Sequence, residues 1–354
     1  MSSEQYLIDA ATRHQVFIQR YAGGLSNQYQ KALKKTYAEV LARLMEDELT
    51  DIGAARLTQI RLDMEQILSN GYNAAKTELL LNLNEFATSE AAFSGQLLAN
   101  GSATQFSVAL PATQQIKTAL SLNTFSPDNG KTLVNIETAL NNFGTKKAAD
   151  IRQVVKDGFL LGDTNAQIAS KISDVEKITR SQADSLARTM TNHASNVART
   201  ETLNANDDVV TGYEWVATLD SRTTLTCSGR DGEIYSLSAE NPKPPAHFNC
   251  RSTTVPVIDP EFDIGASGKG TRQSKGAKGK ERVSAKTTFG GWLKKQPAEF
   301  QDEYFSKFQD GGIKAKLFRK GGLKIDKFTD VRGAEYSLSE LKALNPLAFD
   351  VAKV

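Results

Sequence analysis

Apolar residues recur at steps of three and four through most of the first two hundred positions, and at about residue 209 the step falls to two. That change of period divides the chain into a helical part followed by a small sheet. Leu33, Tyr37, Val40, Leu41 and Leu44 fall on one helix face, and Leu57, Ile60, Met64, Ile67 and Leu68 repeat the pattern. Residues 72–93 keep the same habit. Gly53 and the Asn70-Gly71 pair are predicted breaks, so the expected form is a long antiparallel helical hairpin. Residues 94–130 are poorer in charge, and Ser126-Pro127-Asp128-Asn129-Gly130 has the chemistry of a turn, which places a soft boundary there. Helix is predicted again from 131 to 206. Its stripes are Ile136, Leu140 and Phe143, then Ile151, Val154 and Val155, then Ile168, Ile172 and Val175 behind a cap at Asp163 or Thr164, and finally Leu186, Met190, Ala194 and Val197.

In Tyr213-Glu214-Trp215-Val216-Ala217 bulky groups alternate as in a half-buried strand, and Ile234-Tyr235 and 252–258 are further strand candidates around a Pro-rich loop at 241–246. Residues 263–286 are rich in Gly, Ser and Lys and almost free of bulky apolar groups, so they are expected to be a flexible basic linker. Aromatic content returns in a last small unit over 287–354, with Trp292, Phe300, Tyr304, Phe305, Leu317 and Phe318. The fold class is therefore α+β and mainly α: a helical region over 1–130, a small α+β module over 131–262, the linker, and the C-terminal unit.

The net charge of +2 says nothing about nucleic acid by itself. Two cysteines in 354 residues do not make a disulfide-stapled secreted scaffold, which makes a reducing cytoplasm the expected setting of assembly. The opening MSSEQYLIDAATRHQ lacks the apolar core of a secretory signal, and no apolar run approaches a membrane span, so a soluble protein is expected.

Both cysteines, Cys227 and Cys250, and one of three histidines, His247, fall within a short stretch. Thiolate and imidazole are the natural ligands of tetrahedral zinc, and the His247–Cys250 spacing suits a ligand knuckle. A fourth ligand would come from Asp220, Asp231 or the distant His193. A metal would help hold a small unit with weak strands together. Without a metal, the same residues read as two buried thiols and a hydrogen-bonded histidine. A catalytic reading, a metal-dependent hydrolase or nuclease using Cys227, His247 and Cys250, lacks any nucleophile-elbow or oxyanion signature around either cysteine. Asp220-Ser221-Arg222-Thr223 reads equally well as a strand-ending turn, with the Asp accepting from backbone amides and an Arg pairing with a carboxylate.

The order Ala198-Arg199-Thr200-Glu201, Asn204, Tyr213, Trp215, Asp220, Arg222-Thr223, Cys227, Asp231-Gly232 and His247-Phe248-Asn249-Cys250-Arg251 resembles the phage Mu F-like minor head proteins, also called phage head morphogenesis proteins. The run Gly291 to Pro297, Lys316-Leu317-Phe318, Gly322-Leu323, Phe328 and Leu338 to Leu341 resembles the tail that often follows that domain. The resemblance covers about residues 150–345 and makes 131–262 the Mu F-like module. Where family members often carry a second cysteine after the His-x-x-Cys-Arg run, this chain has Ser252. The resemblance implies a few copies in the procapsid and then in the virion, contact with the portal protein and with major capsid or scaffold protein, and a role in head assembly, DNA packaging or ejection. It implies no established catalytic activity. It also makes Arg199, Glu201, Asn204, Asp220, Arg222, Asp231, Asn249 and Arg251 a structural motif.

Between Ser267 and Lys286, Lys269, Arg272, Lys275, Lys278, Lys280, Arg282 and Lys286 face one acid, Glu281. A flexible segment of this kind can follow phosphates of double-stranded DNA without reading bases; a solubilising linker is the plainer alternative. No helix-turn-helix or stacking signature accompanies it.

Overall fold

The computed structural model describes residues 3–46, 53–102, 107–128, 131–238, 240–263 and 270–354. Asn129 and Gly130 of the expected turn, and Lys269, lie outside the described residues.

Two long helices, α1 (Ser3–Leu44) and α2 (Ala54–Gly101), run antiparallel as the apolar spacing predicts. Their register is fixed by polar contacts inside the apolar seam, Tyr37 Oη to Tyr72 Oη at 3.1 Å near one end and His14 to Glu90 at 2.7 Å toward the other. Gly71 is not a break. It sits in mid-helix because a Cβ there would lie 2.1 Å from the Thr36 hydroxyl, so the missing side chain is what lets α1 and α2 approach.

After α3 (Thr113–Leu122) come α4 (Ile136–Leu161) and α5 (Asn165–Asn204). Gly162 takes the left-handed backbone, φ 71°, that ends α4. Thr164 then starts α5 with a capping box, its hydroxyl accepting from the Gln167 amide while the Gln167 side chain accepts from Thr164 N. The 40-residue α5 lies against both α1 and α2, with Gln15 on Asn192, Ser26 on Asp184 and Tyr37 on Thr179 marking its antiparallel course along α1. One hydrophobic core runs from Ile18 to Ala198 in sequence. The boundary expected at residue 130 therefore does not separate two cores.

Beyond α5 the chain forms β1 (Val210–Val216), β2 (Leu219–Asp220), α6 (Leu225–Arg230), β3 (Ile234–Tyr235) and β4 (Thr253–Ile258). The first sheet has the antiparallel order β3-β1-β4. Trp215 on β1 is fully buried.

The flexible linker is corrected by a β-hairpin. Residues Thr271–Gly276 (β5) and Gly279–Ser284 (β6) pair antiparallel, with Gly279 at φ 93° leaving the turn, and β5 pairs parallel with β2 to give the order β2-β5-β6. No large apolar side chain is needed, because the hairpin is held by backbone pairing and by Arg272, which reaches 41 residues back to Asp231. Gly270 lies so close to the Gln5 carbonyl oxygen that a Cβ would stand 2.3 Å from it, so the hairpin is seated on α1.

The C-terminal helices α7 (Phe289–Lys294), α8 (Ala298–Phe305), α9 (Gly311–Arg319), α10 (Leu338–Leu344) and α11 (Pro346–Ala352) gather an aromatic core around Phe289, Trp292, Tyr304, Phe305 and Phe318. Leu219 and Leu225 belong to that core, so this unit packs directly on the module. No helix among the described residues is long and apolar enough to cross a membrane.

Candidate functional site

Thr224 caps α6, its hydroxyl accepting from the Cys227 amide, and so places Cys227 in the helix's first turn. The other two residues of the cluster come from the loop before β4. Asn249 adopts the left-handed backbone, φ 58°, which asparagine tolerates better than most residues, and the Cys250 amide turns back onto the His247 carbonyl at 3.2 Å. Two bonds moor this knuckle to α5: Asn249 N donates to the Thr189 hydroxyl at 2.9 Å, and its side-chain amide donates to the Ser185 hydroxyl at 2.8 Å. Sequence reasoning missed Thr189 and Ser185, which look like ordinary polar positions on a helix.

The structure brings Cys227, His247 and Cys250 together. The two sulfurs are 3.7 Å apart, His247 Nε2 is 3.2 Å from Cys227 Sγ, and all three donor atoms lie within 4.8 Å of one another. A disulfide would need about 2.05 Å; both are free, buried thiols. Their protonation is divided. The hydrogen bond with Cys250 and burial push Cys227 well above the ordinary thiol range. Burial also works against ionising Cys250, but the bond from Cys227 and the adjacent His247 pull it well below that range. Burial lowers the His247 pKa, and the charge on Cys250 outweighs it, so the net direction is up.

None of the foreseen fourth ligands joins the cluster among the described residues. Asp220 is held by Arg251, whose Nη2 donates to Oδ1 at 2.7 Å and whose Nη1 takes the other oxygen, while the Arg222 amide donates to Oδ1 at 3.0 Å. This is the turn-and-ion-pair arrangement read from the sequence. Asp231 accepts from both Arg272 Nη atoms, at 3.1 and 2.9 Å, and from the Ala217 and Phe289 amides, each at 2.6 Å. His193 lies on α5 with Nε2 3.2 Å from the Asn123 carbonyl oxygen and its ring against Phe125.

The motif residues of the α5 end divide between core and surface. Arg199 is 1 % exposed and donates to the Thr253 hydroxyl on β4, with Glu90 as its nearby carboxylate. Glu201 accepts from Gln115 at 3.2 Å and, with Asn204, lines a cleft of about 530 Å³ beside the Pro-rich loop. Arg222 remains exposed.

Among the foreseen DNA contacts, Arg272 is corrected: its side chain is 3 % exposed in the ion pair with Asp231 and faces no solvent. Arg282 pairs with Asp9 at 2.8 Å and bonds the Thr271 hydroxyl. Lys275, Lys278 and Lys280 are exposed on the hairpin.

Residues 149–255 match the family model described as phage Mu protein F like protein. An uncharacterized protein of Haemophilus influenzae is 30% identical over 115 residues, which is 31% of this chain and 25% of the relative. The match thus spans a quarter of the length of that curated relative. No solved structure matches. The matched segment takes in α5, most of the β3-β1-β4 sheet and the Cys/His knuckle, and over that stretch the chain is similar to the phage Mu protein F like family.

Proposed function

We propose that this chain is a minor structural protein of a tailed-phage head. In this reading it is assembled in the host cytoplasm, held in the virion near the portal, and acts in head assembly, DNA packaging or ejection. The carrying observation is that the family-matched segment is braced for shape. Its Asp220 and Asp231 are committed to Arg251 and Arg272, and among the described residues no carboxylate joins the buried cluster of Cys227, His247 and Cys250.

The test is coexpression of the full chain with the portal protein and with the major capsid or scaffold protein encoded beside it, followed by size-exclusion chromatography. Co-elution with the portal protein is the expected result. A chain that elutes alone in the presence of both overturns the reading.

Lys275, Lys278 and Lys280 fit a non-specific contact with double-stranded DNA. Each phosphate neutralised contributes about 0.9 to the slope of log affinity against log salt. Replacing all three by alanine is expected to lower that slope by about 2–3 while leaving thermal stability unchanged, because all three are exposed and none makes an ion pair among the described residues. Gel shifts over a salt series measure it, and an unaltered slope removes the hairpin from the DNA contact.

A further inference from the structure

We propose that Cys227, His247 and Cys250 bind one zinc ion and leave one coordination position to water. With Zn–S near 2.3 Å and Zn–N near 2.0–2.1 Å, tetrahedral geometry sets two sulfurs about 3.8 Å apart and a sulfur and a nitrogen about 3.5 Å apart. The separations here are 3.7 and 3.2 Å, so small movements of the His247 ring accommodate the ion.

The surroundings are those of metal ligands. His247 Nδ1 lies 2.8 Å from the Phe248 carbonyl oxygen, which holds the proton on Nδ1 and leaves the Nε2 lone pair facing the sulfurs. The hydroxyls of Ser252 and Thr224 reach the Cys227 sulfur, and the Ala246 amide reaches the Cys250 sulfur. Neutral thiols are weak acceptors and have little use for several donors; a pair of thiolates uses all of them. Two thiolates, a neutral imidazole and Zn²⁺ carry no net charge, so the filled cluster can stay buried. A cavity of about 10 Å³, lined by Cys227, His247, Ser252, Thr218 and Thr223, adjoins the donor atoms and is sized for one water. Soft sulfur donors select zinc over magnesium or calcium.

The full-length chain, reduced and stripped with a chelator, is titrated with Zn²⁺ alone against a chromophoric chelator, and separately with Co²⁺. One equivalent of Zn²⁺ is expected, with a rise in Tm. Co²⁺ should give thiolate-to-metal charge-transfer absorption and the strong visible bands of a tetrahedral ion. Cys250→Ser and His247→Gln should each weaken Zn²⁺ by roughly 100-fold or more. Ser252→Cys, which puts a thiol where the hydroxyl borders the same cavity, should tighten it. A folded, reduced chain that takes up no stoichiometric Zn²⁺, a Co²⁺ spectrum without a thiolate band, or a Zn²⁺ affinity unchanged in both ligand variants overturns the proposal. Should Cys250→Ser fail to fold, the wild-type Co²⁺ spectrum and Ser252→Cys decide it.

Discussion

Asp231→Ala is expected to lower the unfolding free energy by about 3–5 kcal/mol, because it leaves the Arg272 charge buried without its partner. The Asp231 side chain is fully buried and that of Arg272 is 3 % exposed. The two main-chain amides of Ala217 and Phe289 would lose their acceptor as well, and each orphaned donor costs about 1–3 kcal/mol. Together these bonds join β1, the β5–β6 hairpin and the start of α7. Urea denaturation measures the change. Asp231→Leu combined with Arg272→Met should cost less than the two single replacements added together, because removing both charges leaves neither uncompensated. A loss below about 1 kcal/mol in Asp231→Ala would mean that the ion pair does not hold these segments together.

The wild-type chain should lose about 3 kcal/mol of stability relative to His193→Gln as the pH falls from neutrality to below 4. Burial lowers the His193 pKa to about 4 from the ordinary 6.5, although its bond to the Asn123 carbonyl works the other way. The sign follows from proton uptake. Between these values the unfolded chain binds a proton that the folded chain refuses, so this group's stabilisation is complete above 6.5 and lost on the way down to 4. Glu214 acts oppositely. Burial, with Glu4 and Asp231 nearby, pushes it up to about 7, so its folded form favours the proton and stability falls as the pH rises toward that value. The wild-type curve alone therefore mixes two trends, and the difference between the two chains isolates His193. Parallel curves for the two would show that His193 takes up its proton without unfolding.

Where a side chain's environment was set by its own neighbours, the sequence was readable. Leu33 through Leu44 and Ile60 through Leu68 lie on the faces that their spacing predicts, and Thr164 caps α5 as its residue type suggests. The alternation around Trp215 is β1, and Asp220 makes the foreseen turn. Failures came where a distant partner decided. Gly71 looked like a helix break because nothing local shows that Thr36 packs over it. Residues 271–284 looked flexible because no local apolar group argues for a strand, and the stabilising contact, Arg272 on Asp231, is far away in sequence. The meeting of Cys227 with His247 and Cys250 was legible from residue type, whereas the mooring of Asn249 by Thr189 and Ser185 was not.

The placement of α5 has a structural consequence. At about 1.5 Å per residue its 40 residues make a rod about 60 Å long, whose C-terminal part meets the sheet where Arg199 bonds Thr253 on β4. Ile168, Ile172, Ala183 and Met190 are shielded by α1 and α2, which lie outside the stretch shared with other proteins. The matched block thus leaves part of its apolar surface to be covered from outside it. Such a block cannot stand bare in water: its oily spine needs helices from elsewhere in the chain to sheathe it, here α1 and α2.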